Sequence, residues 1–203
     1  MSRRPVWIGA DPGGTSNFGI AELFADGATR TGCVSSAHEA AEWIQGTPQG
    51  AGIDAPMWLS SAKRGDRKAD RWLRCKYGNA SPGKVLAINS LYGAVLAQGA
   101  MFAVELRCCF PELSITESHP GLFLRAWGCR FDEPKRFDEL KRCFGIHAKP
   151  GISDHERDAV IAALAAREGF SGCWRRDLAL KRLPEEQDPA TYWLAPMHYW
   201  WFE

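Results

Sequence analysis

The sequence has little net charge, no long hydrophobic run and no signal-like N-terminus. Its 25 basic and 24 acidic residues leave a formal net charge of +1, so binding to nucleic acid would need a local basic patch rather than overall charge. No stretch reaches ~18 uninterrupted apolar residues, which argues against a transmembrane helix. The first apolar run is too short for a signal peptide. We expect no membrane partner.

The number and spacing of the cysteines match neither a disulfide scaffold nor a zinc site. There are seven, an odd number, and none forms a Cys-x-x-Cys pair. This pattern is typical neither of a disulfide scaffold nor of a structural zinc site. Free thiols suit a reducing compartment, so we expect a cytoplasmic protein.

The chain also lacks any internal repeat, low-complexity tract or break in composition. Its 203 residues, 45% of them hydrophobic, are enough for one sizeable core. We therefore predict a single domain over residues 1–203, with an aromatic C-terminal extension at about 174–203. The extension is expected to pack back as a hydrophobic hook, although an exposed cluster of this kind would instead be a stacking platform or a dimer contact.

The order of apolar and polar runs predicts an α/β fold. Three short strands come first, at 6–10, 18–24 and 28–35, and the Asp-Gly pair before the third is a hairpin signal. Single strands at 51–56 and 113–118 follow, each connected through helices. A long apolar helix, buried against the sheet, is expected within 84–109. Together these elements predict a mixed five-stranded sheet, antiparallel in its first three strands, with helices on both faces.

Five acidic residues occupy the positions where strands end or the last helix begins. Asp11, Asp54 and Glu117 end the first, fourth and fifth predicted strands, while Asp154 and Asp158 lie four residues apart on the last helix. Strand ends at one edge of an α/β sheet meet at a crevice where ligands bind. Carboxylates gathered there repel one another and stay ionised when cations share the site.

Two Mg²⁺ or Mn²⁺ ions bridged by such acids can activate water for attack on a phosphodiester. Asp11, Glu117 and Asp158 would hold the metals, with Asp54 as a fourth ligand and Asp154 as an auxiliary. The acids also have simpler interpretations. Asp11 before Pro-Gly and Asp54 before Ala-Pro could form turns, and Asp154 could stabilise the helix dipole. Asp158 and Glu117 are harder to explain this way, because each adjoins an apolar run where a lone carboxylate is costly.

Six short motifs occur in an order that resembles a known family. They are "IGADPGGTSNFGIA", "GIDAPMWL", "DRWLR", "ITESHPGLFLRAW", "PKRFDEL" and "SDHERDAVIAALAA". The chain is similar in these motifs to uncharacterised proteins described as predicted RNase H-like nucleases, and the likeness runs from Val6 to about Ala166.

The resemblance implies an RNase H-like fold and a metal-dependent nuclease, with nucleic acid as the partner. It places the catalytic acids on Asp11, Asp54, Glu117 and Asp158. His119 follows the third of them by two residues, and in RNase H-like enzymes a histidine near the acids can assist product release or proton transfer. A histidine there more often only hydrogen-bonds a loop.

Asp11 is followed by Pro-Gly-Gly-Thr, and this turn introduces a different possibility. Gly13, Gly14 and Thr15 resemble the phosphate loop of actin-like sugar kinases, in which backbone groups cradle ATP phosphates. Those kinases need two domains of this fold. The chain has room for one, so a homodimer would have to supply the second.

Basic residues suggest where a phosphate backbone would lie. On a helix, Arg67, Arg71 and Arg74 would form one stripe suited to phosphates; a solvated face with internal ion pairs is equally compatible with the pattern. Arg71 and Arg74 also match the family's Asp-Arg-x-x-Arg motif. Lys84 and Lys135, near the starts of later helices, are further candidates for steadying a phosphate.

Three classes of function therefore remain open from the sequence. The first is a nuclease using Mg²⁺ or Mn²⁺, on DNA or RNA. The second is a non-catalytic module that binds nucleic acid or protein, whose acids would cap turns or pair with arginines. The third is a nucleotide-binding ATPase or kinase-like module.

Overall fold

The computed structural model describes residues 4–78, 85–87, 91, 93–128, 132, 135–188 and 196–203. The strands are β1 (Pro5–Asp11), β2 (Phe18–Phe24), β3 (Thr29–Val34), β4 (Thr47–Ile53), β5 (Ile115–Glu117), β6 (Arg176–Asp177), β7 (Met197–His198) and β8 (Trp200–Trp201). The helices are α1 (Ala37–Trp43), α2 (Lys68–Tyr77), α3 (Gly93–Cys109), α4 (Pro120–Trp127), α5 (Arg136–Phe144) and α6 (Asp154–Phe170). Across these residues, none of the helices has the length and apolarity needed to cross a membrane.

The main sheet is mixed and has six strands in the order β3-β2-β1-β4-β5-β7. Strand β2 is antiparallel to both of its neighbours, while β1, β4, β5 and β7 run parallel. The α/β class and the antiparallel first three strands are confirmed. The predicted count of five strands is wrong, because the short β7 near the C-terminus pairs with β5.

Local signals set most of the element boundaries. Gly27 has a φ of 83° at the turn between β2 and β3, a conformation that glycine adopts without steric cost. Ser36 caps α1 by accepting a hydrogen bond from the Glu39 N–H. Ser153 and Glu156 form a reciprocal capping box at the start of α6. These short-range rules are why the sequence predicts these elements well.

The long apolar helix is shorter and more exposed than predicted. It begins at Gly93, and Lys84 lies outside the described residues. Phe102 and Leu106 are buried, whereas Met101 is 53% exposed and Val104 is 52% exposed. The helix therefore packs through one side only, and the expectation of a helix enclosed against the sheet is corrected.

Helices cover both faces of the sheet, as predicted. On one face the backbone of α6 lies directly on the strands: a Cβ atom at Gly9 would be 1.9 Å from the Ala159 carbonyl oxygen, and one at Gly19 would be 2.2 Å from that of His155. On the opposite face, the ring of Phe18 packs edge-on against Phe102 of α3. The absence of side chains at these glycines lets the first turns of α6 lie close to the end of β1.

The aromatic C-terminal extension packs into the core. Tyr199 and Trp201 are each 1% exposed, and β8 forms a two-stranded sheet with β6. The Trp201 ring lies 6.3 Å from that of Phe123. The expectation of a hydrophobic hook is confirmed.

Candidate functional site

Three of the predicted acids meet at one edge of the sheet. Asp11 ends β1, Asp54 directly follows β4, and Glu117 ends β5. Because these strands are parallel and adjacent, their carboxyl ends lie side by side. All three acids line a cavity of about 210 Å³, to which Ser118 and His119 also contribute. The predicted convergence at the strand ends is confirmed.

Asp11 is held by a histidine from the neighbouring helix. The His155 Nδ1 atom lies 2.6 Å from the Asp11 carboxylate. Burial raises the pKa of Asp11 to about 6, and the nearby charge of Asp158 adds to this, while the hydrogen bond from His155 opposes it. His155 was not among the predicted site residues. Its spacing of three from Asp158, which places both on one side of a helix, is the signal that could have identified it.

Asp158 lies near Asp11 but its carboxylate is engaged by an arginine. The Arg157 Nε atom is 2.9 Å from Asp158, and Arg157 also contacts Asp154 at 2.6 Å. Burial raises the pKa of Asp158 and Arg157 opposes the shift. Neither Asp158 nor Asp154 lines the cavity. The side chain of Asp154 is 85% exposed, so its expected place as an auxiliary ligand is corrected. As the first residue of α6 it stabilises the helix dipole.

Asp54 stands apart because no cation in the described part of the chain faces it. Its half-buried side chain makes no hydrogen bond or ion pair with the described part of the chain. Burial raises its pKa well above the ordinary value, and the charges of Asp11, Asp158 and Glu117 add to the effect. Ionised Asp54 therefore adds a negative charge to a cavity edge that is already acidic.

Glu117 is placed differently, in a buried ion pair. Two nitrogens of Arg67 each lie 2.6 Å from a Glu117 oxygen, and the Met57 N–H donates to Glu117 at 2.9 Å. Arg67 also holds Asp70 at 2.8 Å and stacks 4.2 Å from the centre of the Trp58 ring. Burial raises the pKa of Glu117, and Arg67 opposes the shift. The expectation that Glu117 offers free oxygens to a metal is corrected, because its oxygens are occupied.

The predicted arginine stripe on α2 is wrong. Arg67 is only 2% exposed and points inward, so it cannot contact a phosphate backbone. Arg71 is exposed, and Arg74 is bound to Asp66 at 2.6 Å. The three arginines therefore have different surroundings: Arg67 is buried, Arg71 is exposed and Arg74 pairs with Asp66. The spacing of three between Arg67 and Asp70 was the sequence signal for an ion pair on one helix side.

Two further candidates, His119 and Lys135, lie in different parts of the structure. His119 lines the cavity and directly precedes α4. Lys135 precedes α5 with a 71% exposed side chain and pairs with Asp132 at 3.2 Å. It does not line the acidic cavity. Lys84 is among the residues outside the described ranges.

Gly13, Gly14 and Thr15 form the turn that connects β1 to β2. The Gly14 carbonyl accepts a hydrogen bond from the Asn17 N–H at 2.9 Å. A Cβ atom at Gly13 would lie 2.2 Å from the Asn17 carbonyl oxygen, whereas one at Gly14 would meet nothing. The close approach within this turn thus explains Gly13 without a phosphate, and none of the three residues lines the acidic cavity.

The acids fit a divalent cation by chemistry more than by their present arrangement. Within the ranges that the structure describes, no three His, Cys, Asp or Glu side chains are arranged to hold one metal ion. Asp11, Asp54 and Asp158 nevertheless offer only oxygen donors, which Mg²⁺ and Mn²⁺ prefer. Burial raises the pKa of all three acids, and like charges nearby add to the shift.

The chain was compared with models of protein families, with curated proteins and with solved structures, and none of them matches. The functional conclusion therefore depends on the chemistry and geometry of the acids themselves.

Proposed function

We propose that this chain is a divalent-cation-dependent phosphodiesterase of the RNase H-like fold that hydrolyses nucleic-acid backbones. The observation that carries the proposal is Asp54, a carboxylate with no cationic partner among the described residues, beside Asp11 at the ends of two adjacent parallel strands. The sheet supports the fold, since three antiparallel strands precede helix-connected parallel ones. The strand order and the acids at the strand ends were predicted from the pattern of apolar and polar runs.

The charge balance around the cavity supports a bound cation. Five carboxylates lie at or beside this cavity: Asp11, Asp54, Asp70, Glu117 and Asp158. The basic side chains that face them are Arg67, Arg157 and His155. When the acids are ionised, at least two negative charges are left unpaired. Buried like charges of this kind are stable only if some are protonated or a cation joins them.

In the proposal Asp11, Asp54 and Asp158 hold Mg²⁺ or Mn²⁺, and Glu117 keeps Arg67 and the start of α2 in place. Bound cations would lower the pKa of the attacking water and stabilise the leaving oxygen. His155 orients the Asp11 carboxylate through its 2.6 Å contact. His119 lines the cavity and is the candidate for giving a proton to the leaving oxygen.

The test is hydrolysis of labelled single-stranded and double-stranded DNA and RNA with Mg²⁺ or Mn²⁺. We expect Asp11→Asn to abolish cleavage while its melting temperature is unchanged or higher, because the substitution removes a buried charge. Asp154→Asn, an exposed acid of the same region, is the matched control and should keep full activity. An Asp11→Asn protein with full activity would contradict the mechanism.

A specific observation favours a second candidate, a non-catalytic module of the same fold that binds nucleic acid or protein. Glu117 and Asp158 each pair with an arginine, and Asp11 contacts His155, as expected of structural acids. In that case divalent ions would not change the melting temperature. In the proposed hydrolase, a cation at 100 times its dissociation constant would stabilise the fold by about 2.7 kcal/mol.

A further inference from the structure

A second cavity, of about 430 Å³, lies against another side of helix α2. Lys68 and Trp72 of α2 form one wall, and Arg175, Arg176 and Lys181 contribute to the other. Arg67 and Asp70 of the same helix line the acidic cavity instead. The first turns of α2 therefore separate a basic cavity from the acidic one.

The basic cavity has cations that are not neutralised. Lys68, Arg175 and Lys181 are exposed, and their side chains form no ion pair with the described residues. Arg176 is partly compensated, since Glu203 lies 3.5 Å from it. The local field is therefore positive although the whole chain is almost neutral, and such a field attracts anions.

The walls of this cavity are fixed to the core. The buried carboxylate of Asp177 accepts hydrogen bonds from the backbone N–H groups of Ala179 and Tyr199, both at 2.9 Å. On the α2 side, Glu186 accepts from the Lys68 backbone N–H at 2.6 Å. A preformed cavity loses little conformational entropy when it binds a ligand.

An aromatic and apolar surface lies beside the cations. Trp72 lines the cavity, with the guanidinium carbon of Arg176 4.9 Å from the ring centre. Leu178 and the 75% exposed Leu180 also line it. Cations next to an aromatic ring suit a ligand that carries both a phosphate and a flat base.

We propose that this cavity binds one nucleotide unit, with its phosphate at Lys68, Arg175 and Lys181 and its base against Trp72. A single strand of nucleic acid and a free nucleoside monophosphate share this chemistry. This proposal rests on the proposed function, because it takes the bound nucleotide unit to be part of the strand that is cleaved.

Binding is tested apart from cleavage, with the Asp11→Asn protein in EDTA. Fluorescence anisotropy measures its affinity for labelled single-stranded 12-nucleotide DNA and RNA. The test protein also carries Arg175→Glu and Lys181→Glu. The control instead carries Arg142→Glu and Lys149→Glu, which cause the same change in net charge at exposed positions outside the cavity.

We expect the cavity variant to bind at least ~10-fold more weakly than the control, with a salt slope smaller in magnitude by about 0.7 for the one phosphate that the cavity no longer holds. Equal affinity of the two variants would overturn the inference, as would no binding by the Asp11→Asn protein with its cavity intact. Because cleavage is not needed here, failure of the nuclease assay would not produce either result.

Competition distinguishes the two sources of the nucleotide. If affinity rises with strand length and a monophosphate competes weakly, the cavity holds part of a strand. If a monophosphate displaces the strand completely at micromolar concentrations, the ligand is a free nucleotide. If inorganic phosphate competes as strongly as the monophosphate does, the proposed contact between the base and Trp72 is overturned.

Discussion

Asp54 and Glu117 line the same cavity at adjacent strand ends, yet their surroundings are opposite. Glu117 is bound by both nitrogens of Arg67 at 2.6 Å, while Asp54 has no partner in the described chain. Burial raises the pKa of both acids; Arg67 opposes the shift at Glu117, and neighbouring acids increase it at Asp54. Position at a strand end brings acids together, but the cations nearby decide which acid is left for a ligand.

The difference arises from the start of α2. Arg67 caps this helix and reaches the end of β5, fifty residues further along the chain. Trp58 and Asp70 hold the guanidinium in place, and this fixes the wall between the two cavities. Within the described ranges, no equivalent cation extends toward Asp54.

The largest effect is expected from removing the cation on the Glu117 side. Arg67→Met leaves Glu117 and Asp70 buried without a counter-charge, which should cost about 3–5 kcal/mol of unfolding free energy. Urea denaturation measures it. The control is Arg71→Met on the exposed side of the same helix, where a loss within about 0.5 kcal/mol is expected. Equal losses in the two variants would show that the buried pair is not the source of stability.

On the Asp54 side of the cavity, the ionisation of the neighbouring Asp11 should make the free energy of unfolding depend on pH. The folded-state pKa of Asp11 is about 6, compared with an ordinary value of 3.8, so ionisation destabilises the fold as the pH rises between these values. Asp11→Asn removes this cost, which is up to about 3 kcal/mol at pH 7.

Unfolding measured between pH 3 and pH 8 checks this prediction. The Asp11→Asn protein should match the unmodified one below pH ~4 and become progressively more stable through pH ~6. A stability difference that is independent of pH would mean that the Asp11 carboxylate is not held at an unfavourable charge.

The smallest effect on stability is expected at Asp154, one of the two acids that share Arg157. Asp154→Asn removes an exposed helix-end charge and should cost about 0.3–1 kcal/mol with no loss of hydrolysis. Asp158→Asn should eliminate hydrolysis instead. Thermal melts and cleavage rates of the two variants measure this contrast, and similar losses of activity would remove the distinction between them.

The strands, caps and strand-end acids could be predicted because they depend on local rules. Ser36, Ser153 and Gly27 act on residues within a few positions of themselves, and the parallel order of β1 and β4 follows from the connecting helix. Alternation and capping signals of this range are present in the sequence itself.

The remaining features could not be predicted because they depend on contacts between distant segments. The two residues of β7 are too few to show a strand pattern, and only pairing with β5 makes them one. Arg67 has the sequence context of an exposed helix arginine, and only the fold brings it to Glu117. The same holds for His155 and Asp11, which are 144 positions apart.

The central claim is that Asp11, Asp54 and Asp158 hold a divalent cation while Glu117 stays with Arg67. Anomalous diffraction at the manganese edge, from crystals soaked in Mn²⁺, tests it most directly. We expect an anomalous peak coordinated by Asp11 and Asp54 that is lost in Asp54→Asn crystals, with the Glu117–Arg67 pair intact. No peak at these acids, with Asp11 still on His155 and Asp158 still on Arg157, would contradict the hydrolase and favour the binding module.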